Sequence, residues 1–397
     1  MTAAAAPLFT LRSGETWRDP FAMYAGLRER DPVHHVPRGD FWVLTRFADV
    51  WAAASDPATF SSAQGLTVAA DELASTGLAS AMPMVFLDPP AHTVFRRLVT
   101  GTLTPRKVAS IEPAVRAFVV ERLESARALG EVDIVAHLFK PLPSFVVARY
   151  LGVPQNERTH FDRWTEATVQ AASGGAASAD LGAIAELMGY FGELIARRRR
   201  EPGDDIVSDL AQLGEDTVSL ARILGFAFTM VAGGNDTTTG LLAGAACLLA
   251  EAPAQRALLL EDPRRIPNAV EELLRLTSPV QNLARTTTRA VQVGGVTIPA
   301  GRKVLLGYAA ANRDPREFGP TAEAFDVARR IPRLLTFSHG THYCIGAAAA
   351  RLQGRVVLEE LLARCPRFTV DVAAGRYAEG NYVRRHVHLP WNPGRRD

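Results

Sequence analysis

A mainly α-helical fold with small β-sheets, built as one unit, is what this sequence predicts. Three observations carry that expectation. Most of the chain reads as helices closed by well-marked stops, the alternating apolar runs are few and short, and no repeat or low-complexity linker is long enough to separate domains. Of 397 residues 47% are hydrophobic and 22% charged, which is the balance of a chain folded throughout. Forty-four basic residues against 42 acidic ones leave a net charge of +2, far from the basic excess of a nucleic-acid binder.

Taken in order, residues 1–18 form an N-terminal extension and 19–397 a single domain. The start carries no cationic segment followed by a long apolar one, so no signal peptide is expected and the cytoplasm is the expected location. Asp19-Pro20 opens a helix, and Thr104-Pro105 opens a longer one reaching about Leu129 before Gly130. Arg38-Gly39-Asp40 between Val33–Val36 and Phe41–Leu44, and Gly294-Gly295 between Val291–Val293 and Val296–Ile298, predict two hairpins. Ser61 to Pro83 is rich in small residues without a clear period, a length that signals function or mobility. Arg197 to Arg200 reads as a solvated helix end. The most apolar stretch, Ile223 to Ala250, is interrupted by Asn235, Asp236 and threonines, which marks a buried helix and not a membrane span. Cys247, Cys344 and Cys365 form neither an even set nor a Cys-x-x-Cys pair, which argues against disulfides and structural zinc.

The sharpest segment is Phe337-Ser338-His339-Gly340-Thr341-His342-Tyr343-Cys344-Ile345-Gly346, followed by an alanine-rich helix from Ala347 to Ala363. A sulfur at a helix start has its ionised form favoured by the amide dipoles, and flanking glycines let backbone N–H groups approach it. That chemistry suits a metal-bound thiolate, whereas a lone cysteine is ordinarily a buried, inert one. The pattern Phe-x-x-Gly-x-His-x-Cys-x-Gly resembles the haem-binding loop of cytochromes P450, with Ser338 where that family carries a second glycine. From Asp19 to Leu389 the order and spacing of motifs are similar to the soluble bacterial, actinobacterial-type members. The resemblance implies a single-domain P450 fold with haem b (iron protoporphyrin IX) between the long central helix and the Cys-loop helix. It implies Cys344 as the metal ligand, and Phe337, His342 and Gly346 as further cofactor contacts.

Gly233-Gly234-Asn235-Asp236-Thr237 sits inside a helix predicted from about Thr217 to Ala250. Two mid-helix glycines cost about 1 kcal/mol each against alanine, so either a ligand or a neighbouring helix wants the backbone exposed there. An acid beside an alcohol can pass protons, and the resemblance implies Asp236 and Thr237 as the catalytic pair. Glu272 and Arg275, three apart on one helical face, carry little signal alone. In the resemblance they form a buried structural pair joined by Arg329. Likewise His92, Arg96, Arg285 and His342 match, in order, the positions at which the family neutralises two haem propionates.

The expected substrate pocket draws on Leu66, Leu78, Met82, Met84, Thr229, Gly233, Val280, Leu283 and Tyr382, a mostly apolar set that predicts a hydrophobic small-molecule substrate. The chain has no flavin or dinucleotide fingerprint. By analogy with the family, electrons for O2 activation come from a ferredoxin and ferredoxin reductase, docking through Arg97, Arg106, Lys107 and Arg351, without nucleic acid or a membrane anchor. The expected reaction is hydroxylation, demethylation or epoxidation. Two alternatives keep the haem: a peroxide-driven or isomerising enzyme, against which the acid–alcohol pair argues, and a non-enzymatic sensor or carrier, which would need an output module.

Overall fold

The longest helix, Leu220–Glu251, begins where the Ser219 hydroxyl accepts from the Arg222 backbone N–H at 3.3 Å, and it is apolar on nearly every face. A helix of that kind must be covered on all sides. In the computed structural model, which describes residues 9–68, 82–158, 161, 163–167 and 181–394, the covering helices include Pro141–Tyr150, Leu181–Arg200, Ile266–Thr277 and Ala347–Arg364. They share one large hydrophobic core. Glycines set the close approaches. A Cβ at Gly234 would lie 2.7 Å from Val147 Cγ2, and one at Gly244 would lie 2.6 Å from Thr277 Cγ2.

The sheets are small, as the sequence predicts. The largest has five strands in the spatial order Val33–Val36, Phe41–Leu44, Lys303–Leu306, Leu283–Thr287 and Phe60–Ser61. Only the Phe41–Leu44 and Lys303–Leu306 pair runs parallel. Both predicted hairpins form, and the second turns through Gly294 and Gly295 at φ 55° and 82°, a backbone glycine adopts without a Cβ penalty.

One expected helix is two. The segment from Thr104 to Leu129 divides into Pro105–Ser110 and Glu112–Leu129. Pro113 has no N–H to donate back into the preceding turn, so the first helix stops short of it. The long helix and the helix after Cys344 lie within a few residues of their expected bounds. Residues 9–18 pack onto the body: Trp17 is 1% exposed, with its indole N–H donating to the Gly380 carbonyl at 2.8 Å. Among the described residues no helix is long and apolar enough to cross a membrane.

Candidate functional site

Cys344 stands at the mouth of the helix Ala347–Arg364, two residues before its cap, Gly346. The loop closes on itself through the Cys344 N–H donating to the Phe337 carbonyl at 2.9 Å. Two residues in it adopt left-handed backbone. Gly340, at φ 67°, has the Ala54 carbonyl oxygen 2.8 Å from where a Cβ would stand. Ser338, at φ 58°, carries a side chain there nonetheless, and its buried hydroxyl lies 3.1 Å from that of Tyr308. That contact gives a physical reason why serine serves where the family carries glycine.

The sulfur has accessible surface although protein surrounds it. Burial pushes the Cys344 thiol up, while the backbone N–H groups of Gly346 and Ala347 and the guanidiniums of Arg96 and Arg351 pull it down. Such a group ionises readily only when a cation shares its site. The aromatic ring of Phe337 lies beneath the Arg351 guanidinium, 4.7 Å from ring centre to carbon. Cys247 and Cys365 are buried, and burial raises both thiols.

Four basic residues from three parts of the chain meet near the loop. His92 and Arg96 come from the helix Ala91–Thr100, Arg285 from the central sheet, and His342 from the Cys loop. The His92 and His342 rings are 4.4 Å apart. Both His92 ring nitrogens are buried without a hydrogen-bond partner among the described residues. Burial, then the charges of Arg285, His92 and Arg96, push the His342 imidazole down to about 2. Among the described residues no carboxylate pairs with Arg96 or Arg285, although Arg285 is only 4% exposed. Two guanidiniums that no carboxylate pairs with among the described residues, beside the orphaned His92 imidazole, call for an anion from outside the chain.

On the long helix the two adjacent glycines have different reasons. Gly234 faces Val147, whereas nothing lies within 4 Å of a Cβ at Gly233. Sequence reasoning left open whether a ligand or a neighbouring helix wanted this notch; Gly234 answers to the neighbouring helix, and the space beside Gly233 is open. The Thr237 hydroxyl donates to the Gly233 carbonyl at 2.8 Å, and the Thr229 hydroxyl to that of Gly225 at 2.7 Å. Asp236 forms an ion pair, Oδ2 to Arg385 Nε at 2.6 Å. Burial raises the Asp236 carboxyl, and Arg385 and Lys140 oppose the rise.

Glu272, Arg275 and Arg329 meet in the core. Arg275 donates to Glu272 at 2.7 and 2.8 Å and to the Asn312 and Ala322 carbonyls at 2.8 and 2.6 Å. Arg329 reaches Glu272 Oε1 at 3.2 Å. Glu272 and Arg275 are both 0% exposed.

The segments named for the pocket are laced side by side. Ala284 N–H donates to the Leu66 carbonyl at 2.6 Å, Gln281 N–H to the Tyr382 carbonyl at 2.7 Å, and Val280 bridges Val383. Leu283 begins the next strand, Met84 is buried against the large core, and Met82 is half-buried. Leu78 lies outside the described residues. The four basic residues named for docking do not behave alike. Lys107 pairs with Asp209, and Arg351 donates to Glu271 at 2.6 and 2.9 Å. Arg97 and Arg106 are exposed and, among the described residues, have no carboxylate partner. Sequence reasoning missed Arg385, whose only signal was an Arg-Arg step before the last strands, and Ser62, whose hydroxyl meets His342 Nε2 at 3.1 Å.

A family model described as Cytochrome P450 matches residues 264–376. Cytochrome P450 130 of Mycobacterium tuberculosis is 56% identical over 98% of this chain and 99% of its own length. The chain belongs to the cytochrome P450 family. The vitamin D(3) 25-hydroxylase of Pseudonocardia autotrophica is 35% identical over 97% of this chain and 96% of its own. Among solved structures, Cytochrome P450 CYP109Q5 from Chondromyces apiculatus superposes with a TM-score of 0.86 at 32% identity, covering 95% of this chain and 96% of that one. Membership makes the protein a P450 monooxygenase with a haem-thiolate cofactor, acting on a substrate and O2. The residues fit that cofactor. An accessible thiol is flanked by backbone N–H donors, and unpaired cations with an orphaned, buried His92 suit its two carboxylates.

Proposed function

We propose that this P450 binds haem b through Cys344, with His92, Arg96, Arg285 and His342 holding the propionates and Phe337 and Gly346 shaping the loop. In this reading it hydroxylates, demethylates or epoxidises a hydrophobic small molecule with electrons from a ferredoxin and its reductase. The observation that carries the reading is the pairing of a sheltered, accessible Cys344 with Arg96 and Arg285, two guanidiniums that no carboxylate pairs with among the described residues. An iron protoporphyrin held there supplies an oxygen-binding metal, and thiolate donation biases it toward O–O cleavage.

The chain's own residues do the rest. Monooxygenation consumes two protons for each oxygen atom released as water, and Asp236 is the acid placed to deliver them. It gives up the proton on its carboxyl oxygen and regains one from solvent. Thr237 Oγ1 donates to the Gly233 carbonyl and can turn outward to hold that proton's path at the open face beside Gly233. Glu272, Arg275 and Arg329 fix the core behind the Cys loop and take no part in the chemistry. Val280, Leu283, Met82, Met84, Leu66, Thr229, Gly233 and Tyr382 line the substrate space, and their mostly apolar character excludes bulk water. The relative named for 25-hydroxylation of vitamin D(3) supports a hydrophobic substrate class. Residues 19–397 act as one domain in the cytoplasm. Arg97 and Arg106, exposed and without a carboxylate partner among the described residues, are the better candidates for the ferredoxin surface.

The test is turnover of a panel of hydrophobic compounds with ferredoxin, reductase and NADPH. Product formed in step with O2 consumption is the expected result. Product formed with peroxide and none with the electron-transfer proteins would replace this reading with the peroxide-driven one.

A further inference from the structure

Asp236 does not stand alone on its helix. One turn later comes Gly240, and a Cβ there would lie 2.8 Å from the Arg384 carbonyl oxygen, 3.1 Å from Pro279 Cβ and 3.4 Å from Arg385 Cβ. Only a residue without a side chain lets the C-terminal loop come this close to the long helix. The loop is fixed as well as close. Arg384 N–H donates to the Pro279 carbonyl at 2.8 Å, Arg384 Nε to the Trp17 carbonyl at 2.6 Å, and Val383 bridges Val280. His386, two residues after Arg384, is buried against the Tyr377 ring at 4.2 Å.

The two adjacent arginines of this loop have different work. Arg384 donates to the Trp17 and Arg18 carbonyls and to the Tyr377 hydroxyl, and so ties the N-terminal segment to the C-terminal strands. The Arg385 side chain makes one polar contact among the described residues, the ion pair with Asp236, in which each side chain is 14% exposed. Lys140 and Glu166 are the other charges that Asp236 feels, and they pair with each other at 3.0 Å with about half of each side chain exposed (51% and 52%). Among the described residues the guanidinium is therefore the one charge seated directly on the acid.

From this geometry we infer that Arg385 is a positioning residue for Asp236, delivered by the Gly240 notch. It holds the carboxylate ionised and turned toward the C-terminal loop between proton deliveries. Burial favours the neutral acid, and the guanidinium opposes burial. Without Arg385 the carboxyl keeps its proton, and reprotonation no longer cycles with solvent. The same loop carries Tyr382, proposed above as a pocket residue, so what fills the pocket bears on the segment that holds the acid. The inference rests on the proposed role of Asp236 as proton donor.

The experiment is infrared spectroscopy of the resting holoenzyme across pH, with Asp236→Asn assigning the band, alongside steady-state kinetics. Wild type should show the Asp236 carboxylate ionised at neutral pH, and Arg385→Gln should show a protonated carboxyl. In that variant kcat falls by about tenfold while KM stays within about twofold, and more of the electrons go to peroxide. Arg385→Lys should restore the ionised band. Gly240→Ala, which changes no charge, should shift the band as Arg385→Gln does, and it decides the matter if Arg385→Gln fails to load haem. An unchanged carboxylate band in both Arg385→Gln and Gly240→Ala overturns the inference. If instead Asp236→Asn itself leaves rate and coupling at wild type while the band still responds to Arg385, the role of Asp236 fails and the positioning stands.

Discussion

Two carboxylates in this molecule are each buried beside a guanidinium, and they are built in opposite ways. Glu272 is saturated: Arg275 and Arg329 both reach it, the Asp326 N–H donates to it at 3.1 Å, and the remaining donors of Arg275 end on backbone carbonyls. Among the described residues Asp236 has a single ion-pair partner, and it keeps 14% of its side chain open. A fully satisfied buried charge network resists any change of protonation, because each donor would lose its partner. A carboxylate with one partner is pulled both ways, burial favouring its neutral form and the guanidinium its ionised form. The first arrangement holds a fold, and the second can exchange a proton.

That contrast can be broken by mutation. The largest effect is expected from Glu272→Ala, which strands two guanidiniums in the core and should cost about 3–5 kcal/mol, read as a urea midpoint shift with loss of haem loading. Unchanged stability would remove the distinction drawn here. Asp236→Asn should do the reverse, with turnover down by about a hundredfold and the unfolding midpoint close to wild type. Thr237→Ala should leave substrate binding intact and divert electrons to peroxide, measured as peroxide formed per NADPH consumed. Unaltered coupling would count against the hydroxyl's role.

The strand beyond Arg385 gives a smaller test, through pH. Burial, with the charges of Arg384 and Arg18, pushes the His386 imidazole down from 6.5 to about 3. The unfolded chain therefore binds the proton more tightly, so this contribution to stability is complete above about pH 6.5 and is lost as pH falls from 6.5 toward 3. Between pH 7 and pH 5 the loss amounts to about 2 kcal/mol. His386→Gln should flatten that dependence in thermal melts, and an equal slope in the variant would refute the assignment. Smallest is the half-exposed ladder in which Arg116 meets Glu112, Glu359 and Glu360 between the helices Glu112–Leu129 and Ala347–Arg364. Arg116→Ala should cost about 1 kcal/mol or less in a urea titration, and less still at high salt.

What the sequence made legible follows from distance along the chain. The Cys loop, the Gly233–Gly234 notch and the Glu272–Arg275 spacing are local patterns, and each lies where its pattern puts it. Arg329 was legible only because family order singled it out. Pro113 was in plain view as a helix breaker, and the continuous apolar pattern on either side concealed its effect. Arg385 was not legible, because its approach to Asp236 depends on Gly240 and on a loop fixed through Pro279 and Trp17, contacts that no periodicity encodes. The same holds for Lys107 and Arg351, which read as free charges in sequence and are engaged by Asp209 and Glu271 from other elements.

The central claim, that Cys344 is the sulfur on a haem iron, is tested most directly by the absorption spectrum of the reduced, carbonyl-bound protein. The account predicts the red-shifted Soret band of thiolate ligation in wild type and its absence in Cys344→His with haem still bound. A wild-type spectrum without that band, or a variant that keeps it, would contradict the assignment.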